Sequence, residues 1–281
     1  MITAPFDYEA PESVEEAVRM LQENGEDAKL LAGGHSLLPL MKLRLATPTV
    51  LVDLRRIPGL HGIQQENGSW RIGSMTRHAD LQDRTELGVV ARAASLIADQ
   101  QVRNRGTIGG SLAHGDPASD LPGVLLALEG SVTALGSSGE RAIAAADLFQ
   151  DYLTTSLAHD EVITDVRLPA LDGYGFGYQK FTRRAEDWAM VGVCALVSRA
   201  ADGTCDDVRI GLTNMGATPL RATAAENALR GSQLDDASIA AAAEQAAEGT
   251  DPPGDLNATP DYKGHLARVL TRRAVEEAVS V

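Results

Sequence analysis

An α+β fold is what the sequence predicts, on three observations. The N-terminal part reads as strand, helix, strand; the middle alternates short strands with helices; the C-terminal part reads as antiparallel strands followed by alanine-rich helices.

The elements follow in order. In SVEEAVRMLQENG (13–25) Ser13 is a helix N-cap, Glu16 three residues on is its capping-box partner, and Val14, Ala17, Val18 and Leu21 recur at helical spacing. Gly25 ends that helix. AKLLAGG is then a short buried strand, SLLPLMKLRL a helix and TVLVDLRRI a second strand. From SWRIGSMTRHADL onward, short strands alternate with helices: DLQDRTELGVVARAASLIAD is helical, SVTALGSSGERAIAAADLF is a hairpin turned at GSSGE with a short helix after it, and DEVITDVRLP is a strand. Beyond LDGYGFG come three strands, the second and third joined through Asp202 and Gly203. RATAAENALRGSQLDDASIAAAAEQAAEG and DYKGHLARVLTRRAVEEAVSV are helical segments separated by the loop TDPPGDLNATP. The expected division is residues 1–172, with subdomains about 1–56 and 57–172, and residues 173–281, a three-stranded antiparallel sheet with helices.

Composition narrows the function. The 281 residues are 44% hydrophobic, enough to bury a core in each of about two domains. A net charge of -14 leaves no general basic face for nucleic acid or an anionic membrane, although Arg103, Arg105, Arg183 and Arg184 allow a local basic pocket. Cys194 and Cys205 fall in no CxxC or Cys/His pattern, so an iron-sulfur cluster or zinc is not expected here and any redox metal belongs to another chain. With neither a signal-peptide pattern nor a membrane-length apolar run, the expectation is a cytoplasmic protein without a membrane span, peripheral to the inner face of the membrane only through partners.

Two glycine pairs carry the chemistry. In LAGGHSLLPLMKLRL (31–45), Gly33 and Gly34 stand between the buried strand and the leucine-rich helix; in TIGGS (107–111), Gly109 and Gly110 precede a hydroxyl residue. Ser36 would cap one helix with Pro39 in its first turn, and Ser119 another with Pro122 at the same offset, where proline removes no intrahelical bond. Two such loops, each presenting free N–H groups beside a hydroxyl, would converge on a diphosphate, because a β-carbon there would hold phosphate oxygens away from the amides. The alternative is that each pair is a tight turn. Neither loop fits GxGxxG or GxxxxGK[ST], so a dinucleotide lying between two subdomains fits better than a nicotinamide or triphosphate site.

LAGGHSLLPLMKLRLATPTVLVDLRRIPGL, TIGGSLAHGDPASDLP and KFTRRAEDWAMVGV, in that order, resemble the FAD-binding medium subunit of the molybdenum hydroxylases, the family of xanthine dehydrogenase and aerobic carbon monoxide dehydrogenase. The likeness runs over essentially the whole chain, through YKGHLARVLTRRA. It implies a two-subdomain FAD-binding fold of the p-cresol methylhydroxylase/vanillyl-alcohol oxidase type, followed by a family-specific C-terminal domain. It also implies that Ala32, Gly33, Gly34, His35 and Ser36 of the first loop and Thr107, Ile108, Gly109, Gly110 and Ser111 of the second wrap the FAD diphosphate. Asp120 would contact the ribityl or adenosine portion, and Lys180, the Arg183/Arg184 pair and Trp188 would lie beside the isoalloxazine. Ser111 is a departure, since the xanthine dehydrogenase branch commonly has asparagine there; serine keeps a donor and an acceptor but is shorter.

Individual residues have competing readings. His35 invites a catalytic role, yet a flavin relay needs no general base there, and packing or hydrogen bonding beside the cofactor is the preferred reading; His78 and His114 are similar, with an exposed loop or cap as the alternative. Arg183 and Arg184 either place positive charge near the flavin or pair with Glu186 and Asp187. Asp120 is a ligand contact or a first-turn helix acid, and Trp188 a cofactor neighbour or a core residue.

The function that the resemblance implies is electron transfer within a heterotrimer, a dimer of such trimers being expected. A large partner would hold molybdopterin and a small one [2Fe-2S] clusters; this chain would pass electrons through FAD to an external acceptor, a quinone, a cytochrome or NAD. The absence of a nicotinamide motif favours a non-NAD acceptor, and Ser111 resembles the carbon monoxide dehydrogenase branch more closely. The alternatives are a stand-alone flavin oxidoreductase of the same fold and a subunit of a xanthine or heteroaromatic dehydrogenase using NAD.

Overall fold

The computed structural model describes residues 2–280. It opens with a parallel three-stranded sheet in which Val50–Asp53 is central, flanked by Asp7–Glu9 and Ala28–Leu31. The helix Val14–Asn24 packs Ala17, Val18 and Leu21 onto this sheet. Ser13 caps it by accepting the Glu16 N–H at 3.1 Å, while the Glu16 carboxylate reaches past the expected partner to the N–H of Glu12 at 2.9 Å. The strand Asp7–Glu9 was not legible: its three side chains are exposed, so no apolar alternation marks it.

A five-stranded antiparallel sheet follows, ordered Ile63–Glu66, Ser69–Gly73, Val162–Leu168, Ser131–Gly136, Gly139–Ala144. Its apolar face meets short helices, among them Val89–Ser95, Ile108–His114 and Asp120–Ala127, in a shared core. Asp120–Ala127 is buried nearly all round. A helix apolar on every side must be covered on every side, and its second cover is another sheet.

That sheet is antiparallel, ordered Tyr174–Phe181, Val191–Arg199, Cys205–Thr213, Leu220–Arg221. Its first three strands are those expected, joined as expected after Arg199 by the turn around Asp202 and Gly203; Leu220–Arg221 adds a fourth, too short to show a pattern. Helix Pro260–Ser280 covers one face and Asp120–Ala127 the other, with Gly177 against the Ala274 carbonyl and Gly211 against the Gly123 carbonyl. Because strand side chains alternate between faces, glycine at 175 and 177 admits the long helix while Tyr178 and Lys180 point the other way, toward the start of Asp120–Ala127. This places a basic residue of the C-terminal sheet at the cavity described next.

Two capping expectations fail. Ser36 and Ser119 do immediately precede the helices Leu37–Lys42 and Asp120–Ala127, with Pro39 and Pro122 in the first turns, but neither hydroxyl makes a capping bond. Ser36 is itself in helical conformation, so its side chain is not aimed back at the turn's amides.

Candidate functional site

A cavity of about 590 Å³ opens between the N-terminal parallel sheet, the second glycine loop and the C-terminal sheet. Of the residues marked by sequence, Ala32, Gly33, Gly34, His35 and Ser36 line it from one side, Thr107, Gly109, Gly110 and Ser111 from another, and Asp120, Lys180 and Trp188 from a third. Ile108 does not: it is buried in the core, because it sits on the face of its helix turned away from the cavity and toward the antiparallel sheet.

The two glycine pairs work differently. Gly34 has φ +77°, which glycine alone adopts without strain. A β-carbon on Gly33 would lie 2.5 Å from the carbonyl oxygen of Arg105 and 2.8 Å from Gly106 Cα, so glycine lets one loop's backbone rest on the other's. The Gly34 carbonyl accepts from Leu38 at 3.0 Å, whereas the N–H groups of Gly33, Gly34, His35 and Ser36 find no protein acceptor among the described residues. Four successive unpaired donors beside a cavity make an anion-binding nest.

Gly109 and Gly110, by contrast, lie inside the first turn of Ile108–His114. Thr107 is the cap, its Oγ1 accepting the Gly110 N–H at 3.2 Å and its carbonyl the Ser111 N–H at 3.0 Å; the Gly109 N–H donates to the Ser74 carbonyl at 2.8 Å. The expectation that this loop also offers free glycine amides is therefore corrected. Its glycines serve close approach: a β-carbon on Gly109 would stand 2.5 Å from Ser74 Cβ, and one on Gly110 would be 3.4 Å from Ala32 Cβ, where the two loops meet.

At the third side, Lys180 Nζ lies 2.9 Å from Asp120 Oδ2 and 3.0 Å from the Leu96 carbonyl, and the Tyr178 hydroxyl donates to Asp120 Oδ1 at 2.6 Å. Burial pushes the Asp120 carboxyl up, opposed by the Lys180 charge and the Tyr178 bond. Burial, with the adjacent carboxylate, pushes Tyr178 well above its ordinary value, so it stays a donor. Sequence reasoning missed Tyr178, although its spacing of two from Lys180 in a strand puts both on one face.

His78 was also undervalued. It is buried, lines the cavity and has its Nδ1 without a partner, as does the Ser74 hydroxyl. Burial, reinforced by His35 and Arg103, pushes its pKa down to about 4, so the ring is neutral. His35 is exposed on the nest itself and is held below its ordinary value by partial burial and by Arg105; burial likewise lowers His114. Trp188 is 54% exposed at the mouth and is no core residue. Arg183 and Arg184 lie outside the cavity in an adjoining hollow, and among the described residues neither guanidinium pairs with Glu186 or Asp187; only the Arg184 backbone N–H reaches the Asp187 carboxylate, at 3.1 Å. Cys194 and Cys205 are buried, which pushes their thiols up to about 12 and about 11 and leaves them unreactive.

These features suit FAD. Free amides match a diphosphate, the unpaired Ser74 Oγ and His78 Nδ1 await polar partners, and the volume falls in the range of roughly 300–1,000 Å³ usual for ligand sites.

Comparison with known proteins agrees. The family model "FAD binding domain in molybdopterin dehydrogenase" matches residues 4–171, and "CO dehydrogenase flavoprotein C-terminal domain" matches residues 176–278. The carbon monoxide dehydrogenase medium chain of Hydrogenophaga pseudoflava is 44% identical, covering 99% of this chain and 98% of its own. The alpha subunit of the 6-hydroxypseudooxynicotine dehydrogenase complex of Paenarthrobacter nicotinovorans is 40% identical over 98% of this chain and 94% of its own. A solved structure of the Hydrogenophaga pseudoflava carbon monoxide dehydrogenase, in a form lacking the Mo-pyranopterin moiety, superposes with a TM-score of 0.96 at 44% identity over 100% of this chain and 99% of that one. Matched from end to end in sequence and in fold, this chain belongs to the FAD-binding medium subunits of the molybdenum hydroxylases.

Proposed function

We propose that the chain relays electrons within a heterotrimer of carbon monoxide dehydrogenase-like organisation, a dimer of such trimers being the expected assembly. Electrons come from [2Fe-2S] clusters on a small partner and leave for an external acceptor, while a large partner holds molybdopterin and hydroxylates the substrate with water. The observation that carries this reading is one of coverage. The chain spans nearly the full length of relatives that are the medium chain or one subunit of a larger enzyme. The relatives act on substrates as unlike as carbon monoxide and 6-hydroxypseudooxynicotine, so substrate choice is assigned to the large partner.

Bound FAD supplies the redox chemistry, accepting electrons singly and releasing them singly or in pairs. The protein binds and orients it. The amides of Gly33 to Ser36 hold the diphosphate with Ala32, while Thr107, Gly109, Gly110 and Ser111 shape the opposite wall. Asp120, Lys180 and Trp188 line the third side of the cavity; there Asp120 would be turned to the ribityl or adenosine portion, and Lys180 and Trp188 would stand by the isoalloxazine. On this reading the flavin-binding part, 1–172, is completed by the C-terminal part, 173–281, which contributes Lys180 and Trp188 across the cavity. The acceptor is a quinone or a cytochrome rather than NAD.

Co-expression with the neighbouring reading frames tests the proposal. A complex that contains a cysteine-rich small chain and a large chain, and bleaches its flavin when substrate is added, is expected. A chain that purifies alone and oxidises a substrate unaided would contradict it.

A further inference from the structure

Four of the chain's six histidines line the cofactor cavity: His35, His78, His114 and His159. Fixed positive charge is scarce there. Among the described residues the lining includes two lysines, Lys29 and Lys180, and no arginine, against the carboxylates of Asp120, Glu161, Glu186 and Asp187. Both lysines are committed: Lys180 Nζ lies 2.9 Å from Asp120 Oδ2, and Lys29 Nζ lies 3.8 Å from Glu26 Oε2. Yet the four free amides of Gly33 to Ser36 invite a doubly charged diphosphate, on a chain of net charge -14. Amides supply partial charges only. The remaining source of full positive charge in this wall is a histidine that takes up a proton.

His35 is the one placed for it. It belongs to the run of unpaired amides and is exposed, so its ring gains a charge without the cost of a buried ion. The charged and titratable groups that act on it come from the segment ahead of the second glycine loop, Arg105 and Asp99 with opposite signs, and from His78. Arg105 is exposed and stands outside the lining, and Arg103 is spent on the Ile97 and Ala98 carbonyls at 2.8 and 3.1 Å. Without a ligand, partial burial and Arg105 hold His35 below its ordinary value, so the ring is neutral at neutral pH. The other three are worse placed. Burial puts His78 at about 4, His114 is half-buried at the end of its helix near Asp116, and His159 faces Glu26, its Nδ1 3.6 Å from Oε2.

We infer that His35 takes up a proton as FAD binds, and that its imidazolium is the countercharge of the diphosphate. The proton comes from solvent, because the diphosphate diester is already ionised at neutral pH; the neutral imidazole becomes imidazolium and no bond of the cofactor changes. The inference rests on the reading of this cavity as the FAD site and adds that binding there is coupled to pH. The anion raises the His35 pKa in the bound state above that in the free chain. The affinity contributed by this contact is therefore fully present below the free-chain value and is lost as the pH rises through the bound value.

The test is calorimetric titration of the full flavin-free chain with FAD at neutral pH, in two buffers of different ionisation enthalpy. The difference between the two heats counts the protons taken up. The parent chain should take up about 0.5–1 proton per FAD, and its affinity should weaken between about pH 6 and 8, by up to about tenfold per pH unit where one full proton is involved. His35→Gln should bind more weakly, with almost no uptake and a flat pH profile. His35→Lys, which carries a permanent charge, should bind without uptake and keep its affinity at the upper end of the range; it decides the matter if the glutamine variant binds too weakly to titrate. FAD binding by the parent without proton uptake would overturn the inference, and so would uptake that persists in His35→Gln or His35→Lys and disappears in His78→Gln or His114→Gln. A parent chain that binds no FAD at any pH would overturn the reading of the cavity instead.

Discussion

Lys180 Nζ lies 2.9 Å from Asp120 Oδ2, sixty positions away in the chain, and both side chains are only 4% exposed. The pair ties the C-terminal sheet to the helix at the cavity wall, with Tyr178 holding the other carboxylate oxygen. Breaking a buried pair from one side strands the remaining charge, whereas removing both charges does not. Asp120→Leu should therefore lower stability by about 3–5 kcal/mol, and Asp120→Leu/Lys180→Met by clearly less. Urea unfolding of the four chains of this cycle checks it; a double variant as unstable as the single one would refute the account of the pair.

Burial holds His78 at about 4, against an ordinary 6.5. Between those values the unfolded chain takes up a proton that the folded chain refuses. Stability from this group is fully present above about 6.5 and is lost as the pH falls toward 4, a change of about 3 kcal/mol. Unfolding free energies of the parent and of His78→Gln, measured across that window, should differ in slope, the variant being flatter. Parallel curves would place the imidazole elsewhere than in a buried wall.

The two glycine pairs should separate cleanly on substitution. Gly34→Val places a branched side chain at φ +77° in the nest, and flavin retention should be lost while the C-terminal sheet stays folded. Gly109→Ala drives a methyl into Ser74, which should destabilise the flavin-free chain by about 1–3 kcal/mol. Flavin content and thermal unfolding, read on both variants, tell these outcomes apart; equal loss of stability in the two would mean that the first loop is also only a packing element.

Thr107 caps the helix that carries Gly109 and Gly110. Thr107→Val removes the acceptor for the Gly110 N–H and should cost about 1 kcal/mol, with Thr107→Ser restoring most of it. Chemical denaturation of the three chains measures this, and a valine variant as stable as the parent would show that the cap contributes nothing.

Local chemistry was legible in the sequence and distant pairing was not. Ser13 capping a helix, the Asp202-Gly203 turn and the order of the long strands follow from a few adjacent residues each. TIGGS misled because a glycine pair reads as a turn, whereas here Thr107 starts a helix through it, Gly109 faces Ser74 and Gly110 faces Ala32, residues contributed by other segments. Tyr178, Ser74 and His78 take their meaning from what the fold brings to them: Tyr178 meets Asp120 across 58 positions, and the unpaired atoms of the other two are defined only once a cavity surrounds them. Ile108 shows the converse, since a match to a motif marked a residue that the helix turns into the core.

On the proposed reading, Gly33 to Ser36 bind the diphosphate of FAD in this cavity. Titration of the flavin-free chain with FAD, alongside its Gly34→Val variant, followed by flavin fluorescence, checks this. One equivalent of FAD bound by the parent and none by a variant whose circular dichroism shows it folded is the expected result. A folded parent that binds no FAD, or a variant that binds it as tightly as the parent, would contradict the claim.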